Sequence, residues 1–392
     1  MVSLPPVHPA FDFLCASLRF ARGAETIDAL SAAASAAGDW RLAAQGARTH
    51  RVLAAFDAAL RALPDSARPH EVADEAARRR RAQAHRALAK SAQLAELSSQ
   101  LAADGRRALV LKGVPLALKL YGTLDARGVG DIDFLVAPPD FRPAAECLAR
   151  LGYVPVGGTL ERLMPRGYEA SRRDIVFRHP QLPGEVEIHQ RFAANRLRLE
   201  TDFDRLWRAR ETTHVAGVEV ATLPVDMLGP YLCAHGIDHC WERLIWLEDL
   251  VRLAARLGGT APLLAQAQTE DLARPMALAL ALGAGWLGLE PAIDAPPAEE
   301  IDGFVRAFFE GEHALAPPPK TGFRALRRRL RYRRHMLTVK TGWRARAGEI
   351  GAVLADPVDW NRVPVPRGWT WLHVLLRPLG VGLRVLRDLY RR

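Results

Sequence analysis

The chain has 392 residues, of which 49% are hydrophobic and 25% are charged, and its formal net charge is +10. This composition is typical of a soluble globular protein with two or three domains. No apolar run reaches the roughly 18 residues that a membrane span requires, which excludes a predicted transmembrane segment. The positive charge favours anionic partners such as nucleotides, nucleic acid or an acidic membrane surface. A GC-rich genome, which encodes many arginines, would give the same excess without such a partner.

Cysteine usage and the first residues bear on the compartment. Four cysteines occur, at positions 15, 147, 233 and 240, and no CxxC pair is present. Isolated thiols are typical of proteins in a reducing compartment. The first residues, MVSLPPVHPAFDFL, lack a basic segment followed by an apolar one, so no signal peptide is expected. We therefore expect a cytoplasmic protein.

Hydrophobic spacing divides the chain into four regions. In chain order they are a helical region (1–103), a core of strands and helices (104–192), a second, mainly helical region (193–314) and a basic helical extension (315–392). In the first region, apolar residues recur three and four positions apart, as at Val52, Leu53, Phe56 and Leu60, which predicts helices. One of these is expected to be long, from about residue 71 to residue 103.

Short apolar runs in the second region are strand signals. They predict five strands, at 108–112, 131–136, 153–156, 173–179 and 185–192. Between the first three, Gly113 begins one predicted helix and the prolines of PPDFRP begin another. The order β-α-β-α-β-β-β predicts a small mixed sheet with helices packed against it, so the expected fold class is α+β with a mostly helical C-terminal region.

The stretch GDIDFLV holds two aspartates one residue apart within an apolar run. A strand alternates its faces with a period of two, so Asp131 and Asp133 point the same way. Two buried carboxylates side by side are unfavourable unless a cation lies between them. Carboxylate oxygens are hard ligands that suit Mg²⁺, so the pair predicts a divalent-metal site.

A third carboxylate is expected from the strand EVEIHQRF. Glu185, Glu187 and His189 share one face of this strand. Glu187, which lies between two β-branched apolar residues, is the preferred third ligand, and Glu185 is the competing choice. His189 either bonds a backbone group or orients a carboxylate. Two metal ions bridged by three acids could activate a hydroxyl and stabilise a leaving pyrophosphate.

The sequence LKG ends the first predicted strand and opens a helix. Gly113 lets the backbone approach a ligand closely, and a helix N-terminus offers N–H donors to a phosphate. Lys112 is then in position to pair with a triphosphate, although it could also be an ordinary surface lysine.

Two later segments leave alternatives open. The segment LPVDMLGPYLCAHGIDHCWERLIWLEDLVRLAARLG predicts one long helix, or two helices separated near Gly229 and Pro230. Within it, His235 and His239 are one helical turn apart and could bind zinc, or they could pack between the helical region and the core. The basic tract 324–346 fits a solvated helix or a surface for a phosphate-rich acceptor. The C-terminal tail, WLHVLLRPLGVGLRVLRDLYRR, either lies on a membrane surface or folds back onto the protein.

Together these residues carry a resemblance. The glycine at a strand-to-helix turn, the DID strand and the later acidic strand resemble the polymerase-beta-type nucleotidyltransferase superfamily. More closely, LKG…LYGTLDARGVGDIDFLV is similar to an uncharacterised bacterial nucleotidyltransferase family, and EVEIHQRF, LCAHGIDHCWERLIWLEDL and DWNRVPVP…LLRPL extend the similarity over roughly residues 40–390. The sequence departs from the pattern where Val114 follows Gly113, in place of Ser or Gly, and where Glu187 stands in place of Asp.

The resemblance implies roles for individual residues. Asp131, Asp133 and Glu187 would be the catalytic residues and would bind two Mg²⁺ ions, with Glu187 also a candidate general base. Nucleotide binding is assigned to four residues: Lys112, Gly113, Arg127 and Tyr121. Arg127 could instead pair with Asp125 or Asp131, and Tyr121 could instead be a packing residue.

The expected function is Mg²⁺-dependent transfer of a nucleoside monophosphate from an NTP, with ATP the expected nucleotide, to a hydroxyl or phosphate, with release of pyrophosphate. The acceptor stays open between a small molecule, tRNA and a protein, and nucleic acid is among the candidate partners. The alternative is a catalytically degenerate, nucleotide-binding accessory protein that binds a nucleic-acid or protein partner.

Overall fold

The computed structural model describes residues 4–164, 173–192, 199, 202–269, 272–292, 295–317 and 322–339, together with a few positions after 345. The chain forms two compact units. The first comprises Met1–Phe192 and Leu199–Ala316, and the second comprises Ala193–Arg198 and Pro317–Arg392. The division into four regions expected from the sequence stays a prediction.

The first unit begins with the helices that the sequence predicts. They are α1 (Pro9–Ala21), α2 (Ile27–Ala37), α3 (Trp40–Thr49), α4 (Leu53–Ala62) and the long α5 (His70–Ala103). The side chains of Thr26 and Asp39 accept backbone N–H bonds from the first turns of α2 and α3, and each such cap contributes about 1 kcal/mol. Aromatic side chains then join the helices, as where Phe13 meets Phe56 edge to face.

Within the described residues, seven strands form one mixed sheet in the order β3-β4-β5-β2-β1-β7-β6. The strands are β1 (Ala108–Val110), β2 (Ile132–Val136), β3 (Val154–Pro155), β4 (Asp174–Arg178), β5 (Glu185–His189), β6 (Glu211–Val215) and β7 (Val218–Thr222). The helices among them are α6 (Val114–Tyr121), α7 (Phe141–Arg150), α8 (Leu160–Leu163) and α9 (Phe203–Ala209). Pairs β2–β5 and β1–β7 are parallel and the others are antiparallel. The predicted α+β class is confirmed.

A hydrophobic core holds the central strands against α5 and α7. Leu97 and Leu101 from α5 and Leu148 from α7 belong to one buried cluster with Phe134 of β2 and Ile188 of β5. Burying an apolar side chain of this size contributes about 1.5–3 kcal/mol. Since every residue of β2 is buried, this strand is fixed in register at the centre of the sheet, which positions the aspartates at its beginning.

The third region is mainly helical, as predicted, but it also contains a β-hairpin that the sequence reading did not include. Strands β6 and β7 pair in antiparallel register, and the turn between them, at Ala216 and Gly217, has φ values of 49° and 84°. Positive φ at both central residues matches the twist of a two-residue hairpin. Val110 of β1 pairs with Thr222 of β7, so the hairpin extends the sheet. The alternation in HVAGVEV was the local signal, outweighed by the helical composition around it.

The remaining helices of the first unit are α10 (Val225–Asp238), α11 (Leu244–Arg256), α12 (Ala261–Thr269), α13 (Ala273–Leu287) and α14 (Ala298–Phe309). Two helices form from the long helical segment, as one alternative predicted, but the break does not lie near Gly229, since Pro230 is inside α10. The chain turns instead at Cys240 and Trp241, both with left-handed φ. The Trp241 ring fills the space where a side chain at Gly236 would stand, and this packing stabilises the turn.

The second unit is described chiefly by one helix, α15 (Gly322–Val339), which confirms the helical part of the predicted basic tract as far as Val339. The motif DWNRVPVP lies outside the described residues, as does the tail except for isolated positions. Among the helices that the structure describes, none has both the length and the apolar content needed to cross a bilayer.

Candidate functional site

The acidic residues predicted to bind metal meet where β2 and β5 lie side by side. These strands run parallel, and Asp133 is directly opposite Glu187 in the register. Asp131 precedes β2 by one residue and points to the same face as Asp133. Donor atoms of Asp131, Glu185 and Glu187 lie within 4.8 Å of one another, and so do those of Asp133, Glu187 and His189. Glu187 belongs to both groups, so the three acids predicted from the sequence are brought together.

Asp133 is the most deeply buried of these acids, with 2% of its surface exposed. Its Oδ2 pairs with the ammonium of Lys112, and its Oδ1 lies 3.5 Å from Nε2 of His189. Burial alone would raise the pKa of Asp133, but the charges of Lys112 and His189 outweigh it and hold that pKa well below its ordinary value. Asp133 is therefore a carboxylate at neutral pH, as a metal ligand must be.

Glu185 and Glu187 differ in their partners, and the difference bears on the choice between them. Glu185 accepts a hydrogen bond from Nε of Arg178, its register partner on β4, at 2.9 Å. Glu187 has no arginine partner among the described ion pairs and lies 3.0 Å from Nε2 of His189. The carboxylate of Glu187 therefore contacts a histidine inside the cluster rather than an arginine, and it is directly opposite Asp133, so this geometry favours Glu187 as the third ligand.

His189 is a buried nitrogen donor aimed at the acids, with 5% of its surface exposed. Neither ring nitrogen makes a well-aligned hydrogen bond within the described part of the chain, although Nδ1 lies 3.8 Å from Asp174. Burial lowers the pKa of His189, but Asp133 and Glu187 raise it to about 9. Three carboxylates form a donor set that fits a divalent cation. His189 is protonated at neutral pH in the metal-free protein, so it could add a nitrogen ligand only after losing a proton.

Lys112 and Gly113 lie at the edge of the same cluster. Gly113 caps α6 with φ 84°, and a Cβ there would stand 3.4 Å from the carbonyl oxygen of Asp131. The bare backbone therefore packs against the aspartate loop. Lys112 contacts Asp133 directly, and it also lines a cleft of about 310 Å³ together with Thr212, Thr222 and Arg256. Since the hairpin was not expected, sequence reasoning missed its threonines.

Arg127 and Tyr121 lie in a different network, centred on Asp249 of α11. Arg127 forms a two-pronged ion pair with Asp249, with N···O distances of 2.8 and 2.7 Å, and the Tyr121 hydroxyl donates to Asp249 at 2.8 Å. Burial and the Asp249 charge raise the pKa of Tyr121 well above its ordinary value. Within the described residues, neither side chain contacts the acidic cluster directly, and their role in nucleotide binding stays a prediction. The carboxylate that pairs with Arg127 is thus Asp249, and neither Asp125 nor Asp131, the two partners that the sequence suggested.

Aromatic side chains from α10 lie close to the acids. Tyr231 is buried, and burial together with the charges of Asp133 and Glu187 raises its pKa well above the ordinary value. One to two turns later, the rings of His235 and His239 lie 4.8 Å apart, and each is 5.1 Å from the Trp246 ring.

The zinc alternative for this histidine pair gains no support from the geometry. Burial lowers the pKa of His235 well below its ordinary value, so it is neutral. Neither histidine belongs to a group of three metal ligands in the described part of the chain, which favours ring packing. Tyr231 carried no signal in the sequence pattern, because it reads as one more residue on an apolar helix.

Comparison with known proteins gives one match. A family model described as uncharacterised nucleotidyltransferase matches residues 36–288, more than half of the chain, including the whole sheet. The C-terminal motif that extended the resemblance lies beyond this match. No curated protein matches the chain, and no solved structure does. The DID strand, the glycine turn before it and the acidic strand beside it all fall within the matched segment, and the chain belongs to this family of uncharacterised nucleotidyltransferases.

Proposed function

We propose that the protein transfers a nucleoside monophosphate from an NTP to a hydroxyl or phosphate of an acceptor and releases pyrophosphate, with Mg²⁺ as its metal and ATP as the expected nucleotide. One observation carries this proposal. Asp133 and Glu187 are register partners on adjacent parallel strands, with Asp131 on the same face. Membership of a nucleotidyltransferase family makes nucleotidyl transfer the chemistry for which such a cluster is suited.

Asp131, Asp133 and Glu187 would hold two Mg²⁺ ions, with Glu187 shared between the two groups of donor atoms. When bound, such ions would stabilise charge on the phosphates and lower the pKa of the attacking hydroxyl. The like charges of the three acids, otherwise unfavourable at this burial, are then compensated.

The chain's own residues bind and orient the nucleotide in this proposal. Helix α6 begins after Gly113, and the N–H groups of Val114 and Leu116 in its first turn belong to a helix N-terminus, which favours a phosphate, although Pro115 between them has no N–H to donate. Lys112 lines the cleft beside α6 and reaches Asp133 at the same time, so its ammonium can pass from the carboxylate to a phosphate oxygen. Glu187 is the candidate base, because its carboxylate forms no arginine ion pair in the described part of the chain and could accept a proton from the acceptor.

The acceptor and the location belong to the proposal as well. We expect the helices in 193–314 to shape the acceptor pocket and the protein to work in the cytoplasm. The basic helix α15 suits an anionic acceptor such as tRNA, while a small molecule or a protein side chain remains a candidate acceptor.

A labelled-nucleotide assay tests the reaction class. The protein is incubated with Mg²⁺ and ATP labelled at the α- or the γ-phosphate, with small-molecule, RNA and protein fractions of a cell extract offered as acceptors. We expect the α-label to pass to one fraction and the γ-label to leave as pyrophosphate. Asp131→Asn should abolish the transfer, and the exposed control Asp74→Asn should keep it. Passage of the γ-label instead would make the protein a phosphotransferase.

One observation favours the second candidate, an accessory protein without turnover. The carboxylate of Asp133 is already compensated by Lys112, with His189 3.5 Å away, so its charge does not require a metal ion. In that case the wild-type protein binds ATP but passes label to no fraction, and the Lys112→Gln variant binds Mg²⁺ more tightly than the wild type.

A further inference from the structure

Arg51 lies in an unusual position beside the aspartate loop. It joins α3 to α4 with φ 58°, a left-handed backbone that a long side chain adopts at some cost in energy. Its guanidinium rests against Gly130, the residue before Asp131. A Cβ at Gly130 would stand 2.7 Å from Nη1 of Arg51, so the glycine is what admits the guanidinium. A cation therefore lies against the residue that precedes Asp131.

Arg243 is a second cation near Arg51, close enough to lower the pKa of that arginine. It precedes α11, and its guanidinium lies 5.1 Å from the Trp246 ring centroid. The buried His50 ties the two segments together. Its backbone carbonyl accepts the N–H of Ile245 at 3.3 Å, and its Nδ1 accepts the N–H of Leu244 at 3.2 Å. Arg51 and Arg243 are thus each one residue away from a pair of hydrogen bonds that joins their segments.

These two arginines carry no fixed anionic partner. Neither guanidinium makes a hydrogen bond or a carboxylate ion pair within the described part of the chain, and both side chains are partly buried. Burial and the charge of Arg243 lower the pKa of Arg51 to about 10, in spite of Asp131. By contrast, the nearby Arg127 forms a direct ion pair with Asp249. Asp131 lies near enough to raise the pKa of both arginines against the effect of burial, and Glu242 also raises that of Arg243, but within the described residues no carboxylate forms an ion pair with either guanidinium. Two partly buried cations held close without a directly bonded anion are unfavourable, as two buried carboxylates are.

We propose that Arg51 and Arg243 form a binding site for a phosphate group beside Asp131. The planar guanidinium donates two parallel N–H bonds to phosphate oxygens, which an ammonium cannot do. Beside a metal-binding carboxylate, that phosphate belongs either to the tail of the NTP or to the acceptor. This choice of source rests on the proposed function, whereas the binding site itself does not.

Calorimetry with phosphate probes tests the proposal without turnover. The first probe is inorganic tripolyphosphate with Mg²⁺, which mimics the tail of an NTP. The second is inorganic phosphate, added to protein already saturated with a non-hydrolysable ATP analogue, which mimics an acceptor phosphate. The variants are Arg51→Gln, Arg243→Gln and the charge-keeping Arg51→Lys, and the exposed Arg41→Gln serves as the matched control for loss of one charge.

We expect Arg51→Gln and Arg243→Gln to weaken one of the two probes by about tenfold or more, since each removes a charge-assisted pair of hydrogen bonds. Weaker tripolyphosphate binding assigns the site to the nucleotide tail, and weaker binding of inorganic phosphate assigns it to the acceptor. Arg51→Lys should lose most of the affinity in spite of its charge, while Arg41→Gln should change neither affinity by more than about twofold.

The proposal is overturned if neither probe loses affinity in either glutamine variant while circular dichroism shows that both are folded. A variant that unfolds is replaced by its lysine counterpart, which keeps the charge and most of the packing, and the same comparison then decides. The proposed function can fail independently, since a protein that transfers no label can still bind tripolyphosphate through both arginines.

Discussion

Two buried aspartates, Asp249 and Asp133, show how differently the same residue is used in this molecule. Asp249 accepts hydrogen bonds on both oxygens, from Arg127 twice and from Tyr121 once. Asp133 has one oxygen on Lys112, while the other faces His189 at 3.5 Å, with a second acid on the neighbouring strand. We call Asp249, Arg127 and Tyr121 the closed cluster, because both carboxylate oxygens have hydrogen-bond donors. We call Asp131, Asp133, Glu187 and His189 the open cluster.

The contrast gives a way to separate an acid that stabilises the fold from one that is a candidate for function. A buried carboxylate whose lone pairs are all taken stabilises the fold, and removing it leaves an unpaired cation. A buried carboxylate that lies beside a second acid and has an oxygen without a close hydrogen bond has capacity left for a ligand. Burial alone does not distinguish the two, because both aspartates are almost fully buried. What distinguishes them is whether both oxygens of the carboxylate already have hydrogen-bond donors.

The closed cluster gives the largest expected effect on stability. Asp249→Ala leaves the buried guanidinium of Arg127 and the Tyr121 hydroxyl without an acceptor, so we expect the free energy of unfolding to fall by about 3–5 kcal/mol. Urea denaturation followed by circular dichroism measures it. The exposed control Asp74→Ala should change that free energy by about 0.5 kcal/mol or less. A loss below about 1 kcal/mol for Asp249→Ala would mean that this cluster is not the scaffold described.

Sequence patterns revealed the open cluster far better than the closed one. Period-two alternation and the glycine before α6 are local signals, so they predicted the shared face of Asp131 and Asp133 and the strand that carries Glu187. Asp249 lies 122 positions from Arg127 in the chain, and no local pattern encodes which carboxylate such an arginine meets. Arg51 is equally invisible, since its position depends on a turn far from the aspartates in sequence.

His189 in the open cluster should make the free energy of unfolding of the metal-free protein depend on pH. The pKa of His189 is raised to about 9 from an ordinary value of 6.5. The protonated ring of His189 therefore adds to the free energy of unfolding in full below pH 6.5. This contribution, about 3 kcal/mol at most, is lost as the pH rises through 9. Denaturation of wild type and His189→Gln between pH 6 and about pH 10 measures the difference.

His50 provides an internal contrast to His189. Burial lowers its pKa to about 4, so its contribution to stability is complete above pH 6.5 and is lost as the pH falls towards 4. The two histidines therefore act in separate pH windows. If the wild type and His189→Gln kept the same stability difference at pH 6 as at about pH 10, the open cluster would not hold a protonated His189.

The two glutamates of β5 give the smallest and sharpest comparison. Glu187→Gln removes the carboxylate shared by both donor groups, so we expect Mn²⁺ affinity, measured by electron paramagnetic resonance titration, to fall by about 10–100-fold. Glu185→Gln removes a carboxylate already bonded to Arg178, so the change should be about threefold or less. The reverse order would transfer the third-ligand role to Glu185.

Turnover and stability measured together in Asp131→Asn show whether the open cluster carries the proposed chemistry. Asp131 makes no ion pair among the described residues, so its amide should keep the wild-type melting temperature within about 2 °C. Mg²⁺-dependent pyrophosphate release from ATP in the presence of the acceptor fraction should fall by about a thousandfold. A folded Asp131→Asn variant that releases pyrophosphate at the wild-type rate would show that the open cluster does not carry the transfer.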